Sequence, residues 1–264
     1  MFLVINYALS FLFGLIIGSF LNVLILRYHS GQSLGGRSHC LFCGQILTWF
    51  ELLPVASFVI QRGRCRRCQS KISWQYPLVE ILTGLLFVLT FARFGFNNWL
   101  EISFYWVIVS LLVPIIIYDL RHKIIPDIFV FGIGVLALIK PLLTVIEAGA
   151  YSSLWTEYQT IFLGGVIAGG IFLLLWLLSC GRWLGFGDVK LALVAGFLLG
   201  WPQVFSALIL AVWIGAMTGL VLIFLTKIKL FGFSKYFTIK SELPFAPFII
   251  LGIILNLFFQ INVF

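Results

Sequence analysis

Residues 204–225 read VFSALILAVWIGAMTGLVLIFL, a run of 22 residues without a charge. As a helix this run reaches about 33 Å, enough for a bilayer hydrocarbon core of about 30 Å. The rest of the chain is written in the same way. Of 264 residues, 62% are hydrophobic, 17% aromatic and only 10% charged. Soluble domains carry about 25% charge. A water-soluble globule, a disordered chain and a disulfide scaffold are therefore excluded, and a polytopic membrane protein is expected.

Working outward, further apolar runs occupy 2–26, 78–91, 102–118, 128–146, 161–178, 189–199 and 245–259. With 204–225 they predict about eight transmembrane helices in an all-α fold. The run at 189–199 is the shortest and carries Lys190. The first run lacks a basic leader and is followed by Arg27, so it reads as a retained helix and not a signal peptide. Residues 27–77 differ in kind, being polar, basic and cysteine-bearing. The expected organisation is a first helix at 1–26, a small insert at 27–77 and a seven-helix portion at 78–264.

The net charge of +8 has a placement. With the N-terminus outside, the inner loops would be 27–77, 119–127, 181–188 and 227–243. They hold 14 of the 17 Lys and Arg, seven of them in the insert. The outer stretch 147–157 has two acids and no base. This is a positive-inside pattern, so the charge reads as an orientation device and no nucleic-acid partner is expected.

Cys40-Leu-Phe-Cys43 and Cys65-Arg-Arg-Cys68 are two C-x-x-C pairs 21 residues apart. On the reducing side of the membrane, four thiolates at this spacing suit tetrahedral Zn²⁺ in a closed, structural site. His39 is a solvated neighbour, and Cys180 reads as a small packed residue. Only nine acids exist. Glu51, Glu101, Glu147, Glu157 and Glu242 fall in or beside loops. Glu80, Asp119, Asp127 and Asp188 stand at span boundaries, where desolvation makes a carboxylate a candidate site. Asp119 and Asp188 share a depth. Together they would let one carboxylate activate water while the other donates a proton. The plain alternative pairs Asp119 with Arg121 or Lys123, and Asp188 with Lys190. In Gly185-Phe186-Gly187-Asp188, the two glycines would let the backbone bend and come close to a substrate. Gly164, Gly165, Gly169 and Gly170 suggest close helix approach.

The Gly-x-Gly-Asp segment, a second boundary aspartate and a four-cysteine insert together resemble the bacterial type IV prepilin leader peptidase/N-methyltransferase family, among the GxGD aspartyl membrane proteases. The resemblance also takes in residues 18–23 with Arg27, 62–68 and 71–80, Ile125-Pro126-Asp127 and Pro244-Phe245-Ala246-Pro247-Phe248. It implies an inner-membrane endopeptidase that removes the leader from type IV pilin or pseudopilin precursors on the cytoplasmic side. Methylation of the new N-terminus by S-adenosylmethionine is implied to follow. The matched catalytic aspartates are Asp119 and Asp188. Asp127 is the rival for the first position, with a cap or turn role instead. Glu80 is the candidate cofactor-binding residue. Ala246 departs from the glycine frequent in relatives, and His29 from a proline. The competing class is an ion-coupled transporter with boundary carboxylates and a regulatory zinc module.

Overall fold

The computed structural model describes residues 2–28, 33, 35–95, 98–148, 154–227 and 243–261. Bases expected to mark inner loops at Lys229, Lys235 and Lys240, together with Glu242 and His29, lie outside the described residues. Among those described every regular element is a helix and there is no strand, with the insert built mainly of turns. The eight expected runs each become one helix. They are α1 (Phe2–Arg27), α3 (Gln75–Phe94), α4 (Trp99–His122), α5 (Asp127–Ala148), α6 (Leu154–Leu178), α7 (Phe186–Leu199), α8 (Gln203–Lys227) and α9 (Ala246–Phe259). A short α2 (Ala56–Ile60) lies in the insert, after a 3-10 turn at Trp49–Leu52. Six helices are long and apolar enough to cross a membrane, namely α1, α3, α4, α5, α6 and α8. Helices α7 and α9 have 14 residues each, about 21 Å.

Helix ends and apolar runs do not coincide. Helix α6 starts at Leu154 and α3 at Gln75, ahead of the runs at 161 and 78. Hydropathy marks where lipid begins, whereas the backbone keeps coiling through the polar and aromatic turn that precedes it.

The chain divides into two compact units, Met1–Ile117 and Tyr118–Phe264. In the first, α1 and α3 run antiparallel in strict register. The Tyr7 ring meets Phe91 edge-on at 5.2 Å. Two glycines one turn apart then bring the backbones together: a Cβ on Gly14 would lie 2.7 Å from the Gly84 Cα, and one on Gly18 2.7 Å from the Glu80 Cα. Asn22 closes the series, donating to the Tyr76 carbonyl at 3.1 Å. Without a hydrophobic drive between helices in lipid, this close backbone approach and interhelical hydrogen bonding hold the pair. Helix α4 joins through Trp106, which stacks on Phe87 at 4.9 Å and donates to its carbonyl.

In the second unit α7 is the central element. Glycines 164, 165 and 169 of α6 leave no room for a methyl against Gly196, Gly200, Phe197 and Leu193, while Gly170 meets nothing. Three of the four expected glycines therefore serve the contact. Helices α5, α8 and α9 complete the unit, α9 lying against α8 with Gly252 at Ala207.

Candidate active site and metal centre

The first carboxylate ends a helix and the second begins one. Asp119 lies in the last turn of α4 and Asp188 in the first turn of α7, both in the second unit and both buried. They are 69 positions apart, yet close enough that the charge of Asp119 acts on Asp188. Each accepts a backbone N–H. Asp188 Oδ2 takes that of Gly185 at 3.1 Å, as a third helical residue does in a capping box. Asp119 Oδ2 takes that of Ala246 at 3.2 Å. Ala246 is the first residue of α9, so its N–H is one of the donors a helix start leaves free, at the positive end of the helix dipole. Two helix N-termini thus face one carboxylate pair.

The two glycines before Asp188 differ. Gly185 has φ −73° and ψ 148°, a conformation open to any residue. A Cβ there would make only ordinary contact with Asp188. A Cβ on Gly187 would lie 3.0 Å from the Ile125 Cβ. Gly187 therefore marks a close approach between the start of α7 and the loop that follows α4, where an added methyl would press on Ile125. The expected backbone bend at Gly185 requires no glycine.

Asp127 stands elsewhere. It opens α5 and pairs with Lys190 at 2.6 Å, with more than half of its side chain exposed. The lysine expected to neutralise Asp188 is thus engaged by the rival aspartate, and it lies 5.1 Å from the Phe186 ring centroid. Lys123 is the cation whose charge reaches Asp119. His122 lies against the Tyr118 ring at 4.6 Å. An apolar groove of about 660 Å³ between α5, α6 and α7 is lined on α7 by Phe186, Val189, Lys190, Leu193, Val194 and Phe197. At 100° per residue that face is opposite Asp188, so the groove does not open on the carboxylate pair.

The cysteines are gathered in the first unit. Sequence places them in two turns of identical design. Residues 39–46 are bridged His39 to Ile46, with Gly44 N–H donating to Cys40 O and Cys40 N–H to Gln45 O. Residues 64–71 repeat this, with Arg64 bridged to Lys71, Gln69 N–H donating to Cys65 O and Cys65 N–H to Ser70 O. All four Sγ atoms lie within 4.8 Å of one another, and Cys40 and Cys68 are 3.8 Å apart. A tetrahedral ion with bonds of about 2.3 Å sets its sulfurs about 3.8 Å apart, so the donor set fits a metal ion. The N–H of Cys43 is the main influence holding the Cys40 thiol down at about 6, helped by the Ser70 hydroxyl. The same hydroxyl, 3.1 Å from Cys68 Sγ, lowers that thiol as well. The Gln45 N–H pulls the Cys43 thiol down, but desolvation and the neighbouring Cys40 and Cys68 thiols outweigh it and hold that thiol up at about 11, whereas a metal binds the thiolate. His39 is not among the gathered donors.

Glu80 is buried on α3 and accepts the Val55 N–H at 2.7 Å. Ser19 also hydrogen-bonds to it. Val55 has φ +57° and ψ −49°, with Ala56 N–H reaching back to Pro54 O at 2.5 Å. This is a tight γ-turn that a β-branched residue rarely adopts. Nearby, Gln75 Nε2 donates to Asn22, while Gln75 Oε1 is buried without a partner. Glu51, in the loop where the sequence places it, takes both the N–H and hydroxyl of Thr48, at 2.8 and 2.6 Å. The hydroxyl is the first cause of its lowered pKa.

Residues 12–94 match the bacterial peptidase A24 N-terminal domain, and residues 106–261 match the type IV leader peptidase family. The chain belongs to the type IV leader peptidase family. Three proteins named prepilin leader peptidase/N-methyltransferase are similar to it over most of its length. That of Bacillus subtilis is 34% identical, over 94% of this chain and 92% of its own. That of Burkholderia pseudomallei strain 1026b is 30% identical, over 96% and 85%. That of Myxococcus xanthus is 35% identical over 82% of this chain, which spans only 63% of that relative. No solved structure matches the chain. The family's two domain matches cover both carboxylates and all four cysteines. The transporter reading finds no support in them.

Proposed function

We propose that this multi-pass membrane protein is a prepilin leader peptidase, with Asp119 and Asp188 as its catalytic pair. The observation that carries the reading is the meeting of two buried aspartates from distant helices, each held by a helix-start N–H. Two adjacent carboxylates do not both ionise readily, so the pair holds one proton. The ionised partner takes a proton from water as its oxygen attacks the scissile carbonyl. The protonated partner donates to the carbonyl oxygen. Collapse of the tetrahedral intermediate passes a proton to the leaving amine and regenerates the pair. The backbone donors at Gly185 and Ala246 orient the two carboxylates through these changes.

The positive-inside pattern supports an N-terminus outside and a carboxylate pair on the cytoplasmic side of the bacterial inner membrane, where an unprocessed pilin or pseudopilin presents its leader. The metal we assign to Cys40, Cys43, Cys65 and Cys68 is Zn²⁺. With four sulfur ligands it has no open position, so its role is to fold the insert. N-methylation would follow cleavage. S-adenosylmethionine supplies the electrophilic methyl group when bound. It carries an ammonium and ribose hydroxyls, and the acceptor chemistry at the start of α3 fits these donors, with the buried Glu80 carboxylate and the unpartnered Gln75 Oε1 as acceptors.

The test is incubation of the purified protein with a prepilin, with and without S-adenosylmethionine, read by mass spectrometry. Cleavage at the leader junction and one added methyl are expected. Cleavage that survives in either Asp119→Asn or Asp188→Asn would sink the pair.

A further inference from the structure

The two cysteine turns share a backbone but not their tips. Where the first presents Leu41 and Phe42, the second presents Arg66 and Arg67 at the equivalent positions. The apolar tip is 66% and 76% exposed. Trp49 and Trp74 are comparably exposed, at 76% and 70%. An aromatic side chain left in water forfeits a large burial area, and a concentration of them on a small insert marks an interaction surface. The charge is as one-sided as the apolarity. Between residues 28 and 74 six bases face a single acid, Glu51. Arg66 lies over the Phe50 ring at 4.6 Å, and Arg67 donates to Gln45 Oε1. These contacts hold the two guanidinium groups in place, and each keeps further N–H donors to offer.

The ends of the insert decide what this surface meets. It leaves α1 at Arg27 and re-enters α3 at Gln75, and the Asn22–Tyr76 hydrogen bond holds those ends together. Both helices are membrane-spanning by length and composition. The insert is therefore tethered twice at one face of the bilayer. Any soluble partner must arrive by diffusion, whereas lipid is present at the high effective concentration of an intramolecular contact.

We propose that the metal insert is an interfacial anchor that reads the surface of its own bilayer. Leu41 and Phe42 enter the boundary between headgroups and acyl chains, and Arg66 and Arg67 engage the phosphates of anionic phospholipids. Trp49 and Trp74 flank them at headgroup depth, the preferred level for indole rings. Each base beside an anionic surface favours the docked state by about fivefold. The metal gives a small insert the rigidity to hold apolar and cationic tips side by side.

The proposal needs the metal-folded insert but not the peptidase chemistry, and one experiment separates the two. The full-length protein is placed in nanodiscs of phosphatidylcholine alone, or with about 30% phosphatidylglycerol, a fraction high enough to give the surface a negative potential. Amide hydrogen exchange at residues 41–44 and 66–69 is followed by mass spectrometry, and metal content is measured on each sample. The anionic discs are expected to slow exchange at both tips about fivefold or more. The double variant Arg66→Gln/Arg67→Gln should lose that lipid dependence while keeping its metal. Phe42→Ser should weaken protection in both lipids. Equal exchange of the wild-type tips in the two discs overturns the proposal. So does protection that appears only after a prepilin peptide is added, which would mark a substrate surface. Should the arginine variant lose its metal, the wild-type comparison and Phe42→Ser decide alone.

Discussion

The four-cysteine centre and the aspartate pair are built on opposite plans. The cysteines are assembled from two copies of one local turn, each closed by hydrogen bonds between residues no more than nine apart. Three of the four lie at the surface or half-buried. The aspartates are buried, and one of their two backbone donors comes from 127 residues away. A locally coded site folds around its ion and tolerates exposure, because the metal supplies the energy. A remotely coded site depends on the whole unit to set its spacing. Chemistry in which two carboxylates share a proton and activate one water needs that spacing and shelter from bulk solvent.

The contrast can be broken most sharply at the aspartates. Asp119→Asn or Asp188→Asn should lower leader cleavage by about a thousandfold or more, while membrane insertion and metal content stay unchanged. Cleavage assayed by mass spectrometry beside metal analysis checks both. Next, Cys65→Ser or a strong chelator should remove one metal ion per chain and unfold the insert, because the ion provides on the order of 10 kcal/mol of its stability. Limited proteolysis between residues 28 and 74 should then become rapid.

A smaller change probes the spacing of the carboxylates. Gly187→Ala sets a methyl against Ile125 and should cost about 1–3 kcal/mol, with a matching fall in cleavage. Gly185→Ala should fall within about 0.5 kcal/mol of the parent, so the ratio of the two variants isolates the close approach. A further small effect lies in the repeated turn. Gly44 and Gln69 occupy the same left-handed position, at φ 68° and 57°. Gln69→Gly should stabilise the metal-bound insert by about 1 kcal/mol and Gly44→Ala should destabilise it by a similar amount. The denaturant midpoint for metal release measures both.

The same contrast governs what could be read from sequence. The helices were legible because lipid demands continuous apolar runs, and the cysteine set because its spacing is local. Asp119 and Asp188 stood out because a carboxylate at a span boundary is costly, and their shared depth suggested a pair, although the residues alone left separate ion pairs equally open. The Ala246 donor left no residue signal, since any non-proline residue has the same N–H. The pairing of Lys190 with Asp127 was also missed. Sequence proximity favoured Asp188, but Asp188 points to the buried face of α7 and Lys190 to the outer one. The γ-turn at Val55 ran against expectation, because a β-branched residue at positive φ has no propensity that announces it.

That turn has a mechanical consequence. Two chain crossings, at Arg27 and Gln75, would let the insert swivel about the line joining them, like a door on two hinges. The Glu80 carboxylate holding the Val55 N–H adds a third fixing point away from that line. Three points not in line define a plane, so the insert is mounted on the α1–α3 pair as a bracket is on a wall. A tilt of those two helices in the bilayer would be transmitted to the metal centre without loss.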